Sequence, residues 1–459
     1  MSGQRKGWCP GALKPMRTGD GLLVRVRLTG GRLSPALAAA LAQAAREHGN
    51  GLFDLTARAN LQLRGVRDET LQPLLDRLSE LGVLDDSAAA EQVRNVLASP
   101  LAGLDETALI DVSPLVVELE RRLTGDERFH ALPPKFGFLV DGGGVLPLEG
   151  IEADIGLRAV SADAFRLTAD VTEVGPVSKG EAVEAALEVA EQFLQTRQPE
   201  ERRMRDVVRR LPAEARALPT KLGRGRGGVW SARETSTDRA QPSLAPPYPE
   251  VPSQADHPPS DLTPFGHLPQ LRGGGESHLA GKYDTFFAAA APFGRLDARQ
   301  LEGFATLAQA HNLELRLTPW RAILLASNTT PPPELGDNIA ALGLVSDPSD
   351  PRLAIAACPG SPSCLSGEAP AQVDAARLAP ALAPFIQAGA SVHVSGCAKG
   401  CARRAPASIV LVGEAGRYAV AFEADSKAAS SWPAMEVDEI AAFLAKNPQL
   451  NSSKSKSHV

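Results

Sequence analysis

Four cysteines crowd into one short stretch near the C-terminal end of the chain. Cys358 and Cys364 lie in Ala-Ala-Cys-Pro-Gly-Ser-Pro-Ser-Cys, and Cys397 and Cys401 in Ser-Gly-Cys-Ala-Lys-Gly-Cys-Ala; only Cys9 falls elsewhere. The pattern is Cys-x5-Cys, a long gap, then Cys-x3-Cys. Four thiolates gathered in one region suit a metal centre, and a [4Fe–4S] cube takes four. Zinc ligands come as tighter pairs, two to four residues apart, so the spacing favours a cluster over zinc or over paired or unligated thiols. Gly360, Ser361, Ser363, Gly396 and Gly400 surround the sulfurs. Such small residues let backbone N–H groups approach a cluster. No export signal is legible at the start of the chain, and disulfides are rare in cytosolic proteins. Reduced thiols and a cytoplasmic location are therefore expected.

The 459 residues are enough for two to four domains. A net charge of −6 carries no polyanion-binding signal, so no nucleic-acid partner is expected. No apolar run approaches the ~20 residues of a membrane span, so no membrane partner is expected either.

From its start the chain reads as β–α–β. A strand over 22–28 ends at Thr29-Gly30-Gly31. Ser34 then caps a helix with Pro35 at its first position and Gly49 beyond its end. Strict alternation over Phe53–Val66 predicts one strand. Leu55, Ala57, Ala59, Leu61 and Leu63 would share one face, and Thr56, Arg58, Asn60, Gln62 and Arg64 the other. That polar face fits a solvated sheet as well as a binding surface. A helix over about 68–80 follows. The motif then recurs: Gly31-Arg32-Leu33-Ser34 through Leu55-Thr56-Ala57-Arg58 matches Gly294-Arg295-Leu296-Asp297 through Leu317-Thr318-Pro319-Trp320-Arg321. The offset is about 263 residues with a single-residue slip. This predicts a duplicated half, and two polar sheet faces around one central site.

The boundaries read as a first half over 1–88, an α+β domain over 89–236, a Pro/Gly-rich linker over 237–275, a second half over 276–347, an iron–sulfur α+β domain over 348–446 and a disordered tail over 447–459. Within them, Ser178 and Glu181 predict a capping box opening a helix. Arg202, Arg203, Arg205, Arg209 and Arg210 read as a solvated basic face. The Gly/Arg run at 223–228 has no phosphate-loop context. A hairpin over about 409–422 and a helix over about 437–446 close the fold.

Ser-Gly-Cys-Ala-Lys-Gly-Cys preceded by Cys-x5-Cys resembles the cluster motif of the sulfite/nitrite reductase family. The resemblance extends over roughly 9–446. It implies an α+β fold with two duplicated ferredoxin-like halves plus two α+β domains of the sulfite-reductase haemoprotein type. It also implies that Cys358, Cys364, Cys397 and Cys401 hold a [4Fe–4S] cluster, the last cysteine bridging to sirohaem in the reductases. Arg58 matches the arginine and Gln62 the glutamine of the family's Arg-x-x-x-Gln strand. Arg94 matches the arginine of Arg-Asn, and Lys135 the first lysine of Leu-Pro-x-Lys-Phe-Lys. The sequence departs from the family at Gly137, where the second lysine would stand, and at Ser408, where an acidic residue is usual.

Trp8-Cys9-Pro10-Gly11, Thr18–Leu22, Arg316–Arg321 and Val394–Cys401 are similar to one branch of that family, in which the macrocycle is substrate rather than cofactor. Those enzymes hydroxylate precorrin-3A with O2 at carbon 20 and close a γ-lactone, in aerobic cobalamin biosynthesis. Arginines suit a polycarboxylate through their bidentate fork; Arg321 joins Arg58, Gln62, Arg94 and Lys135 as a substrate-binding residue. The branch also implies a mononuclear non-haem iron, for which the eight histidines show no facial-triad spacing, and NADH as reductant. No dinucleotide fingerprint is present, so an electron-transfer protein is the expected donor. No residue is assigned the chemical step. A sirohaem-dependent sulfite or nitrite reductase and a non-catalytic tetrapyrrole-binding redox protein are the competing expectations.

Overall fold

The computed structural model describes residues 9–211, 279–403, 405–427 and 432–447. The expected linker, the Gly/Arg run and all of the expected tail except Asn447 lie outside the described residues. Among the described residues, no helix is long and apolar enough to cross a membrane.

The first half runs β1 (Met16–Thr18), β2 (Gly21–Val26), β3 (Arg32–Leu33), α1 (Pro35–His48), β4 (Leu52–Leu55), β5 (Leu61–Val66) and α2 (Asp68–Glu80). The expected caps of α1 form: Ser34 Oγ accepts from Leu37 N at 3.2 Å, and Gly49 N donates to the Ala45 carbonyl. The unbroken strand expected over Phe53–Val66 is instead a hairpin. Thr56 N donates to the Asn60 carbonyl at 3.0 Å, Thr56 Oγ1 accepts from Arg58 N and Asn60 N, and Ala59 turns the chain at φ +51. A threonine side chain that satisfies turn amides competes with the ladder, and alternation carries no trace of that.

An α+β unit follows: α3 (Ala88–Val93), β6 (Val96–Ala98), α4 (Ser113–Gly125), β7 (Phe138–Asp141), β8 (Ile155–Ala159), β9 (Ala164–Ala169), β10 (Thr172–Ser178), α5 (Ala182–Thr196) and α6 (Met204–Arg210). The capping box expected at Ser178 and Glu181 does not form. Ser178 Oγ donates to Glu181 Oε2 at 2.6 Å, and α5 starts at Ala182 without a side-chain cap.

The second half comprises β11 (Gly281–Lys282), β12 (Phe286–Ala290), β13 (Arg295–Asp297), α7 (Ala298–Ala310), β14 (Glu314–Leu317), β15 (Ala322–Ala326) and α8 (Leu335–Ala341). Asp297 and Gln300 box the start of α7 reciprocally, each side chain accepting from the other's N–H at 2.8 Å. The slip in the repeat falls in the helix, which has 14 residues in α1 and 13 in α7. After it the β14–β15 turn repeats the β4–β5 turn. Thr318 N donates to the Ala322 carbonyl, and Arg321 takes φ +59 where Ala59 takes +51. Trp320 therefore stands where Arg58 stands in the first copy, and Arg321 where Ala59 stands.

The two halves exchange strands. One sheet has the order β1-β2-β5-β4-β13 and the other β11-β12-β15-β14-β3. Leu296 pairs with Phe53, and Leu33 with Leu315. α1 and α7 bury Leu41, Ala42, Leu301 and Phe304 in one core shared by both halves. Gly31 sits at this junction with φ +68. A Cβ there would lie 2.8 Å from the Leu317 carbonyl oxygen of the other half.

The chain closes with β16 (Ile355–Ala357), α9 (Ala371–Gln387), β17 (Val392–Ser395), β18 (Ala407–Glu414), β19 (Arg417–Ala424) and α10 (Val437–Lys446). In β16-β17-β18-β19 the first two pairings are parallel and the third antiparallel. β6-β7-β8-β9 repeats that pattern. The two α+β units that the resemblance implies thus share one strand pattern.

Candidate active site beside four thiols

Because β16 and β17 are parallel neighbours, their C-terminal ends open at one edge, where ligand-binding loops collect in such sheets. Cys358 follows β16 directly and Cys397 follows β17 by two residues. Gly396 N donates to Cys358 Sγ at 3.1 Å. None of the five cysteines is in a disulfide. Burial, then the thiols of Cys358, Cys397 and Cys364, push the Cys401 thiol up, which places Cys401 within electrostatic reach of the other three. No group of three or more His, Cys, Asp and Glu among the described residues closes on a single ion. A [4Fe–4S] cube takes one thiolate on each iron, and Cys358, Cys364, Cys397 and Cys401 are the four residues that could hold it. The mononuclear iron finds no ligand set among the described residues.

The sister unit shows what that edge looks like without cysteine. Cys358 N donates to the Val394 carbonyl at 3.3 Å, and Ser99 N to the Val140 carbonyl at 3.1 Å. Gly142 N donates to Ser99 Oγ at 2.9 Å, as Gly396 N does to Cys358 Sγ. Ser99 occupies the place of Cys358, and its hydroxyl donates to Asp141 at 2.8 Å.

Two cavities meet at Ala57, on the tip of the β4–β5 hairpin. The larger, about 250 Å³, has Arg27, Arg58, Arg94 and Arg203 in its wall, with Glu120 and Glu152 opposing them. The smaller, about 150 Å³, is bounded by Trp320, Arg321, Arg352 and Ile355. Ile355 begins β16, the strand that leads into Cys358. A solvent-open cleft of about 760 Å³ runs past Cys397, Lys399 and Lys427 on the outer side.

The larger cavity is short of anions. Burial, followed by the like charges of Arg25 and Arg94, lowers the Arg27 pKa to about 10. Burial also lowers Arg25 and Arg58, against an opposing pull from Cys9 on each. Arg27 Nε, Arg58 Nη1 and Arg94 Nε are buried with no hydrogen-bond partner, although Arg94 Nε lies 2.8 Å from Asp85 Oδ1 as an ion pair. Arg94 differs: burial opposes its charge, but Glu120 and Asp85 outweigh that and raise its pKa. Its guanidinium lies 2.8 Å from Asp85.

The structure therefore divides the residues singled out in the sequence. Arg58 and Arg94 line the larger cavity, and Arg321 the smaller. Gln62 lines neither cavity; with its amide turned to accept, it takes hydrogen bonds from Arg25 Nε and Nη2 at 3.2 and 2.7 Å. The Lys135 side chain is exposed, and the residue meets the site through its carbonyl, which accepts from Arg58 Nη2 at 2.7 Å. Arg25 and Arg27 escape the sequence reading, although Arg25 on β2 and Arg27 just past its end continue the face opposite Leu22, Val24 and Val26. That period-2 signal could have found them. Arg203, expected on a solvated face, instead joins the cavity wall and is held by Asp154 at 2.9 Å.

The family model described as "Nitrite/Sulfite reductase ferredoxin-like half domain" matches residues 14–81, and "Nitrite and sulphite reductase 4Fe-4S domain" matches 89–181. The second match falls on the cysteine-free sister unit, as the Ser99–Cys358 equivalence explains. The chain is 30% identical to "Precorrin-3B synthase" of Sinorhizobium sp over 449 residues, 96% of this chain and 87% of the relative. It is 27% identical to "Sulfite reductase [ferredoxin]" of Mycobacterium tuberculosis over 85% of this chain and 70% of that one. The solved structure of Mycobacterium tuberculosis NirA covers 95% of this chain and 82% of its own at TM-score 0.65 and 20% identity, a likeness of fold. The fold has the expected α+β class, and the chain belongs to the nitrite and sulfite reductase family, among the homologues of precorrin-3B synthase.

Proposed function

We propose that the paired cavities bind precorrin-3A and that the protein hydroxylates it with O2 at carbon 20, with closure of the γ-lactone. The observation that carries this reading is the pair of buried, unpartnered guanidinium N–H groups, Arg27 Nε and Arg58 Nη1, in one cavity wall. Each is a donor awaiting an anionic acceptor, and a tetrapyrrole edged with carboxylates supplies several. Arg94, already paired with Asp85 and Glu120, braces the wall instead. Gly137 keeps the space beside Arg58 open: a Cβ there would lie 3.8 Å from the Arg58 guanidinium carbon. The reductase lysine that would fill this space is replaced, which favours a bulky organic anion over a small oxyanion. Trp320 offers an apolar ring face to a flat macrocycle.

In this reading Cys358, Cys364, Cys397 and Cys401 hold the [4Fe–4S] cluster, which supplies single electrons when bound. The electrons derive from NADH through a partner protein. The open cleft beside Cys397, with Lys399 and Lys427, is where that partner gains access. Incubation with precorrin-3A, labelled O2 and reductant, followed by mass spectrometry, tests the reading; one incorporated oxygen atom is the expected result. A Soret band with a sirohaem visible band in anaerobically purified protein would instead favour a reductase. Binding of precorrin-3A without oxygen-dependent mass gain would favour a carrier or sensor.

A further inference from the structure

Ser363 precedes Cys364, and its carbonyl is gripped from outside its own sheet. Arg64 Nη2 donates to it at 2.7 Å and Gly19 N at 3.3 Å, while Arg295 Nη1 reaches the Ser363 hydroxyl at 3.5 Å. Arg64 is 3% exposed. Asp20 accepts from its Nε and Nη2 at 3.0 and 2.9 Å, and Asp54 from its Nη1 at 2.8 Å. Asp54 continues the chain to Arg295 Nε at 2.8 Å. The four charges alternate in sign and come from both halves, since Arg295 sits on the exchanged strand β13. A paired network centred on a buried arginine fixes geometry more than it adds net stability.

Among the described residues, the other cysteine loop has no such tether: Ser395 Oγ donates to the Cys397 carbonyl and Ser426 Oγ to the Ala398 carbonyl, both within the same unit. Among the described residues, the Cys364 loop is the one held by a charge anchored in the first half. Arg64 also shares the β4–β5 hairpin with Arg58: the tip of the hairpin faces the cavity and its base holds the loop.

We propose that Arg64 is a positioning residue for the cysteine centre, fixing the Ser363 carbonyl so that the Cys364 thiol faces Cys358, Cys397 and Cys401. The proposal rests on the reading that these four residues hold the cluster. A charge-assisted hydrogen bond is worth a factor of about ten or more, which sets the size of the effect.

The test uses full-length protein purified anaerobically, stripped of iron by chelator under native conditions and alkylated with iodoacetamide, each cysteine being read by mass spectrometry. In Arg64→Met, Cys364 should react about tenfold faster, with Cys358 and Cys397 unchanged. Before stripping, iron should leave to the chelator faster than from the parent protein. Gly19→Ala provides a second route without loss of charge, because its Cβ would collide with the Pro362 carbonyl oxygen. It should give the same signature and carries the test if Arg64→Met does not fold. An unchanged Cys364 rate in a variant with native thermal melting would overturn the proposal, as would equal acceleration at Cys358 and Cys397. Selective exposure of Cys364 in a protein whose parent never binds iron would sink the cluster reading while leaving the clamp standing.

Discussion

Arg58 Nη2 donates to the Lys135 carbonyl at 2.7 Å, and its other terminal nitrogen is left buried and unpartnered in the cavity wall. One bond aims the guanidinium; in the proposed reading the other nitrogen meets a substrate carboxylate. Arg58→Ala removes that donor without touching the four thiols. Tetrapyrrole affinity should fall about ten- to a hundredfold, the worth of a hydrogen bond to a charged group, with iron content unchanged. Fluorescence titration and iron assay check the two halves of this statement.

Arg27 is a different case, because its charge is opposed by burial and by Arg25 and Arg94. Arg27→Met keeps the bulk and removes the opposed charge. Thermal melting of the unliganded protein should not fall, while tetrapyrrole binding weakens at least about tenfold. A melting point lowered by several degrees would mean that the bond from Arg27 to Asn95 at 2.8 Å is the dominant role of the side chain.

His393 lies on β17 fully buried, with neither ring nitrogen hydrogen-bonded, and its pKa is lowered to about 4 by burial and then by Arg403. An unfolded histidine binds its proton near pH 6.5, so between about pH 6.5 and 4 the unfolded chain holds more protons. Stability should therefore decline as pH falls through this window, by an amount on the order of 2–3 kcal/mol from this residue. His393→Leu should lose that part of the decline in urea titrations at pH 7 and pH 5.

Gly31→Ala tests the junction of the halves. The substitution places a Cβ against the Leu317 carbonyl at a left-handed backbone position. A loss of about 1–3 kcal/mol in urea unfolding is expected, whereas Gly51→Ala, at a left-handed position with open space around it, should cost less.

Much of the local structure was legible in advance. Asp68–Glu80 and Val437–Lys446 are helices at the expected ends, and Ser34, Pro35 and Gly49 delimit α1 as their chemistry requires. These signals lie within a few residues of what they specify, so no partner is needed to read them. The polar face expected across Thr56, Arg58, Asn60, Gln62 and Arg64 fared differently. Thr56 and Asn60 make a turn, Arg58 enters a cavity, Gln62 meets Arg25, and Arg64 is buried between Asp20 and Asp54. One alternation thus concealed four fates, of which only the turn is set by its own neighbours.

The sequence by itself determined the cysteine spacing, the repeated half and the helix ends, because each is written in neighbouring residues or in a copy of them. Only the tertiary structure decided that the halves exchange β3 and β13, that Ser99 fills the place of Cys358 in the sister unit, and which arginines face the cavity. Strand pairing and the partner of a buried charge are long-range choices. They are fixed when the chain closes its shared core and brings Asp54 beside both Arg64 and Arg295.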